Sequence, residues 1–260
     1  MRILESPLLA GFPYGFTTRD GGVSEPPWDR LNLGGFVGDD PERVAENWRR
    51  LERATGLAFA RVKQVHGARV VRAGRATPPV EEADGIVSDA VGVAACVSVA
   101  DCVPVLLADP ESGAVAAVHA GWRGTLSRAA AHGIVALREL GAPADRLIAA
   151  IGPSIGPCCY DVSRDLADRF REEFGAEVAS GGERPRLDLW RANARVLAEA
   201  GVRPDRIDVL RRCTSCERDL FFSHRRDAGR TGRQMAYIGP RGCDPPSLTN
   251  SQTHLDFSEP

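Results

Sequence analysis

Three short segments each carry one side chain able to ligate a soft metal or attack an electrophile. They are KQVHG at 63–67, SVADCVP at 98–104 and AVHAGWRGT at 117–125, contributing His66, Cys102 and His119. Two imidazoles and a thiolate suit zinc, and three protein ligands leave a tetrahedral position open for water or substrate, as in catalytic sites. No compact motif of the HExxH kind contains them. Each sits instead beside an apolar, strand-like run and a Gly, Asp or Pro that ends it, where site residues gather. Taken singly, each also has a structural explanation: Cys102 as a small buried hydrophobe and either histidine as a hydrogen-bonded structural group.

Other residues supply chemistry around this trio. Asp84 in ADG and Asp101 in ADC stand at strand boundaries, where a carboxylate orients an imidazole or acts as a general base. An Asx turn is the competing reading and weighs more on Asp84, so Asp101 is the catalytic candidate. Arg123, Arg225 and Arg226 are candidates for gripping an anion with bidentate hydrogen bonds. The last two lie in FFSHRRDAGRTGRQ, where Arg230 and Arg233 add charge between glycines, and a solvated basic loop is the alternative. Cys213 and Cys216 form a CxxC, the spacing of half a zinc ribbon or a redox pair. No second CxxC exists, and the adjacent Cys158 and Cys159 are poorly placed to share one metal, so CTSC is expected to be structural or incidental.

The elements that must position these residues follow from patterning. Asp39 or Asp40 caps a helix that starts at Pro41, places Val44, Trp48 and Leu51 on one face and stops at Gly56. A second helix is predicted over Thr125–Leu140 with Leu126, Ala130, Ile134 and Leu137 buried. Ser163 caps a third, carrying Leu166, Phe170 and Phe174, and Asp188 a fourth, carrying Leu189, Val196 and Leu197 and ending near Gly201. Strands are predicted at Val62–Val65, Arg69–Ala73, Val91–Val99, Val103–Ala108, Ala114–His119, Leu147–Ile151 and Ile207–Leu210. The turn DPESG at 109–113 joins two of them into a hairpin. These features favour an α+β domain of mixed sheets with flanking helices over a doubly wound nucleotide fold, in keeping with the lack of a Gly-rich phosphate loop. Residues 1–241 read as one catalytic domain and 242–260 as a loose polar tail.

Composition narrows the functional class. With 260 residues, 43% of them hydrophobic, the chain can bury a sizeable core. A net charge of −2 from 33 basic and 35 acidic residues argues against a nucleic-acid backbone or an anionic membrane as the main partner. Lys63 is the sole lysine, so cationic recognition rests on arginine forks. Glu5 and Pro7 break the N-terminal apolar stretch, unlike a signal peptide, and no apolar run approaches the roughly 18–20 residues of a membrane span. A cytoplasmic location is expected, where seven cysteines serve as free thiols or metal ligands. A monomer is the default expectation.

Read together, the segments FTTRDGGVS, LNLGGFVGDDPERVAENWRRL, KQVHG, ADGIVSD, ADCVPVLLADP, AVHAGWRGT, IGPSIGPCCYDV and FFSHRRDAGRTGRQ resemble the YfiH family, the laccase-domain or polyphenol-oxidase-like proteins associated with purine nucleoside phosphorylase activity. The resemblance implies that His66, Cys102 and His119 bind one zinc ion. It also implies a fold similar to the catalytic domain of cytotoxic necrotizing factor, a cysteine hydrolase. The implied activity is cleavage of adenosine, inosine, guanosine and S-methyl-5′-thioadenosine with phosphate, together with deamination of adenosine. Two alternatives stay open. One is copper-dependent polyphenol oxidation, although five histidines are few for a multicopper centre. The other is cysteine hydrolysis, such as editing a cell-wall precursor, with Cys102 as nucleophile and His119 as base.

Overall fold

The computed structural model describes residues 1–73 and 81–242. The expected tail beyond residue 242 lies outside the described residues. Among the described residues, eleven strands form two mixed sheets. In chain order the strands are β1 (Ile3–Leu4), β2 (Tyr14–Thr17), β3 (Ala58–Ala60), β4 (Val70–Arg72), β5 (Gly85–Ser88) and β6 (Val93–Val99). They continue with β7 (Val103–Ala108), β8 (Val115–Ala120), β9 (Ile148–Ile151), β10 (Ile207–Val209) and β11 (Gln234–Ile238). One sheet has the order β1-β2-β11-β6-β3 and the other β10-β9-β7-β8-β5-β4. Five helices flank them: α1 (Pro41–Thr55), α2 (Trp122–Leu126), α3 (Ala129–Glu139), α4 (Arg164–Phe174) and α5 (Leu189–Glu199).

Alternation along the strands explains how the layers stack. On β7, Val103, Val105 and Leu107 face a core built with Ile134 and Leu137 of α3, Phe170 and Phe174 of α4, and Val196 and Leu197 of α5. The intervening Leu106 and Ala108 face the other sheet, where they meet Phe16, Val97, Ala236 and Ile238. The outer face of that sheet, with Ala94, Cys96, Met235 and Tyr237, packs on Val44, Trp48 and Leu51 of α1. The result is four layers: helix, sheet, sheet, helices. Because β7 and β8 are covered on both faces, their runs VPVLLA and VAAVHA are buried throughout, and their sequences read as near-continuous apolar stretches.

Local signals account for most boundaries. Asp40 caps α1 through its side chain, Pro41 opens it, and Gly56 closes it at φ 69°, a left-handed value that glycine adopts without strain. Ser163 and Asp188 cap α4 and α5 as their positions predict. The DPESG turn joins β7 and β8 into an antiparallel hairpin. Its Asp109 accepts from the Glu111 amide and the Ser112 hydroxyl and pairs with Arg146.

Three expectations are corrected. Val62–Val65 is not a strand: the strand lies upstream at Ala58–Ala60, and the amides of Val65, His66 and Gly67 bond to the Asp84 carboxylate instead of a ladder. The helix predicted over Thr125–Leu140 is two helices, because Arg128 turns left-handed at φ 54° between α2 and α3. Leu126, expected to be buried, is only partly so. The short strands β1, β2, β5 and β11 lie outside the predicted set.

The inter-sheet core is the part of the fold on which both sheets depend. Leu106→Ala removes a fully buried side chain from it and is expected to lower unfolding free energy by about 2–5 kcal/mol, read from urea denaturation of purified protein.

Candidate metal centre and active site

The three candidate residues converge. Donor atoms of His66, Cys102 and His119 lie within 4.8 Å of one another. The register of the β7–β8 hairpin is responsible for two of them. Val103 pairs with Ala120 and Pro104 with His119, so Cys102, one residue before β7, lies next to the end of β8. A Cβ on Gly121 would stand 2.8 Å from Cys102 Sγ and 3.5 Å from His66 Cδ2, so glycine there lets the backbone pass close to the centre. His66 arrives on the loop after β3, at φ 63°. That loop is clamped to β6 by the Gln64 amide, which donates to the Ser98 carbonyl and accepts from the Ser98 amide at 2.9 and 2.7 Å.

Asp84 organises the trio. Its carboxylate accepts from the amides of Val65, His66 and Gly67 at 3.2, 2.9 and 2.6 Å. The same carboxylate lies 2.8 Å from His119 Nδ1, and the Asp84 carbonyl accepts from the His119 amide at 2.7 Å. Burial alone would raise the Asp84 pKa, but the bonds from His119 and the loop amides outweigh it and hold the carboxyl below its usual range. With Nδ1 fixed by a carboxylate, His119 presents Nε2 to the centre, the arrangement of a ligand oriented from behind. The two imidazole rings meet edge to face, with centroids 5.0 Å apart and planes at 79°.

The Cys102 sulfur is poised as a thiolate, the form that ligates a soft cation. Burial pushes the Cys102 thiol up, but the charge and hydrogen bonds of His119 and His66 overcome this and bring it down to about 6. Burial lowers His119, yet Cys102 and Asp84 raise it to about 9. With no metal bound, these directions favour a Cys102 thiolate beside a protonated His119, and a metal taken up at Nε2 would displace that proton. His66 is exposed, Cys102 partly buried and His119 buried, so the centre is open on one side. Such a site can hold one metal with a free coordination position, and it can also serve as a nucleophile–base pair.

The structure distributes the remaining candidates differently from the sequence expectation. Asp84, read chiefly as an Asx turn, touches His119. Asp101, expected to serve the imidazoles, bonds the Thr214 hydroxyl and the Arg225 amide, each at 2.6 Å. At φ 94° it makes the sharp turn that presents Cys102. Arg226 is engaged internally: it pairs with Asp227 and donates to the carbonyls of Thr214 and Phe221. Arg225 lies 5.0 Å over the Tyr160 ring and Arg123 4.2 Å over the Trp122 ring. Trp122, Tyr160 and Arg225 line one cavity of about 370 Å³, with Asp161, Ser163 and Arg184. Burial, then the Cys102 charge, push the Tyr160 phenol up to about 12 against Arg225 and Arg123, which ties this cavity electrostatically to the trio. Arg233 also approaches: burial lowers its pKa while the charges of Cys102 and Asp101 oppose that shift. In the sequence Arg233 stood only as extra loop charge, and Trp122 and Tyr160 carried no signal beyond their aromatic rings.

The family model described as multi-copper polyphenol oxidoreductase laccase matches residues 13–241. A Deinococcus radiodurans protein named purine nucleoside phosphorylase is 46% identical over 241 residues, covering 91% of this chain and 92% of that protein. Purine nucleoside phosphorylase YlmD of Geobacillus stearothermophilus is 42% identical, covering 91% and 93%. The crystal structure of the Bacillus licheniformis hypothetical protein YfiH superposes with a TM-score of 0.83 at 34% identity, covering 87% of this chain and 92% of its own.

Removing the negative charge behind His119 tests the organising role of Asp84. Asp84→Asn is expected to keep the fold and weaken zinc affinity about 10–100-fold, measured by competition with a chromophoric chelator.

Proposed function

The chain belongs to the multi-copper polyphenol oxidoreductase laccase family, the YfiH family, and from that premise we propose that it is a zinc-dependent purine nucleoside phosphorylase. Its proposed substrates are adenosine, inosine, guanosine and S-methyl-5′-thioadenosine, and it is proposed also to deaminate adenosine. The names of its relatives support the reaction class. The observation that carries the reading is the three-ligand centre, whose Cys102 charge is felt by Tyr160 in the wall of an aromatic cavity that Arg184 and Arg225 also line.

In phosphorolysis a phosphate oxygen bonds to the ribosyl carbon, the carbon–nitrogen bond to the purine breaks, and the base leaves with the electron pair and takes up a proton. Arg123 and Arg225 are the groups proposed to hold the phosphate against that carbon. Trp122 and Tyr160 offer flat apolar faces of the kind on which a purine stacks. His66, Cys102 and His119 would hold the zinc, which supplies Lewis acidity for polarising the departing base or activating water for deamination. Asp84 keeps His119 in the tautomer that ligation requires, and Asp101 braces the loop of Arg225 against the turn of Cys102.

Two other chemistries are weaker readings. Among the described residues, His132 and His224 join neither group of potential ligands, so one copper ion at the trio is the most this histidine supply offers a phenol oxidase. Cysteine hydrolysis has a specific observation in its favour: Cys102, His119 and Asp84 stand in the order of a nucleophile, base and orienting carboxylate, as the expected likeness to the cytotoxic necrotizing factor domain requires.

A nucleoside panel run with and without phosphate separates these readings. Zinc-loaded protein is expected to release free base and ribose 1-phosphate only when phosphate is present, and Cys102→Ala to lose that activity. Arg225→Ala is expected to raise KM for phosphate about 10–100-fold, the worth of a charged hydrogen bond. Base release indifferent to phosphate, or an active Cys102→Ala, overturns the proposal; activity gained on chelation points to the cysteine hydrolase.

A further inference from the structure

Cys158, Cys159, Cys213 and Cys216 lie 54 or more positions apart as two pairs, and their sequence spacing argued against a shared ion. The fold places all four sulfurs within 4.8 Å of one another. We propose that they form a second metal site, a tetrathiolate for a single zinc ion, separate from the His66–Cys102–His119 centre.

The geometry fits. Zinc–sulfur bonds of about 2.3 Å in a tetrahedron set sulfur–sulfur edges of about 3.8 Å. Cys216 Sγ lies 3.5 Å from Cys158 Sγ and 3.3 Å from Cys159 Sγ, so a small relaxation admits the ion, and none of the four is joined in a disulfide. Four cysteine sulfurs within 4.8 Å of one another select soft ions such as zinc. The spread suits one ion. The backbone also treats Cys213 as a ligand: the Gly156 amide donates to its sulfur at 3.3 Å, as backbone groups do around structural metal thiolates. Cys158 and Cys216 are exposed and Cys213 is buried, so the site opens to solvent for loading while one ligand anchors it in the core.

The adjacent pair, which looked unfavourable, works because the two loops run side by side. Ser154 bridges Cys213 in parallel pairing, with the Thr214 amide on the Ser154 carbonyl at 3.1 Å and the Ser154 amide on the Arg212 carbonyl at 3.1 Å. The CTSC turn thus faces the end of IGPCC. The ion would fasten the loop that carries Tyr160 to the loop that carries Thr214. Both loops hold Asp101: the Ile155 amide donates to its carbonyl at 2.9 Å and the Thr214 hydroxyl to its carboxylate at 2.6 Å. The second ion would therefore sit behind the wall of the cavity as a fastener of the two loops that hold Asp101.

Metal analysis of untagged protein loaded with Zn²⁺ and desalted tests this. Wild type is expected to retain two zinc ions per chain, Cys102→Ala one, and the double variant Cys158→Ser/Cys216→Ser one. X-ray absorption of Cys102→Ala is expected to show an all-sulfur shell near about 2.3 Å. That variant leaves all four cysteines in place, so the result stands even where the double variant does not fold. One zinc in wild type with none in Cys102→Ala overturns the proposal, as does a nitrogen-containing shell in that variant or a disulfide among the four cysteines on non-reducing mass spectrometry. Loss of phosphorylase activity bears on the first centre alone and leaves these readouts unchanged.

Discussion

The candidate site depends on one buried carboxylate. Asp84 is fully enclosed, and a buried negative charge is costly unless every lone pair is used. Its oxygens are met by three consecutive loop amides and one imidazole nitrogen. Those bonds hold His66 and His119 in one place, although 53 positions separate them in the sequence. They also account for the departure of residues 62–65 from the expected strand, because the amides of Val65, His66 and Gly67 are spent on one anion. Removing Asp84 would free the loop and the imidazole together.

The sandwich supplies the rest of the placement. Because β7 and β8 are buried on both faces, their register is fixed by packing, and a slip of one residue would turn every apolar side chain to the wrong layer. That rigidity puts Cys102 beside the end of β8 to within a contact distance, with Gly121 leaving the space. By the two-residue period of a strand, His119 shares the inter-sheet face with Val115 and Ala117, at the end of the hairpin that meets the loop of His66. The arginines and aromatic rings come from outside the sheets, on α2 and on loops after β9 and before β11, with Trp122 and Tyr160 packed against the helical core.

What the sequence discloses follows from the range of each interaction. Capping, helical faces and the hairpin turn are local, so α1, α4, α5 and the β7–β8 pair are legible from residue spacing. The three members of the trio stand at the boundaries of apolar runs, but taken singly each has a structural explanation, and it is the family resemblance that joins them into one site. The role of Asp84 is not local: the ADG segment looks like a turn until the fold brings His119 against it, whereas Asp101 beside Cys102 looks catalytic only because the two are neighbours in sequence. Arg226 beside Arg225 illustrates the same limit, one guanidinium lining a cavity and the other spent on carbonyls and Asp227. The four cysteines join through two loops paired at a distance, which no spacing rule reports.

The central claim is that His66, Cys102 and His119 form a single metal centre that works beside an arginine-lined nucleoside pocket. Anomalous X-ray scattering at the zinc edge, from crystals of zinc-loaded protein soaked with adenosine and phosphate, tests it most directly. The account predicts a zinc peak roughly 2.0–2.3 Å from a His66 nitrogen, His119 Nε2 and Cys102 Sγ, with phosphate held against Arg123 and Arg225. A trio without zinc, or Cys102 bonded covalently to the substrate, would contradict it.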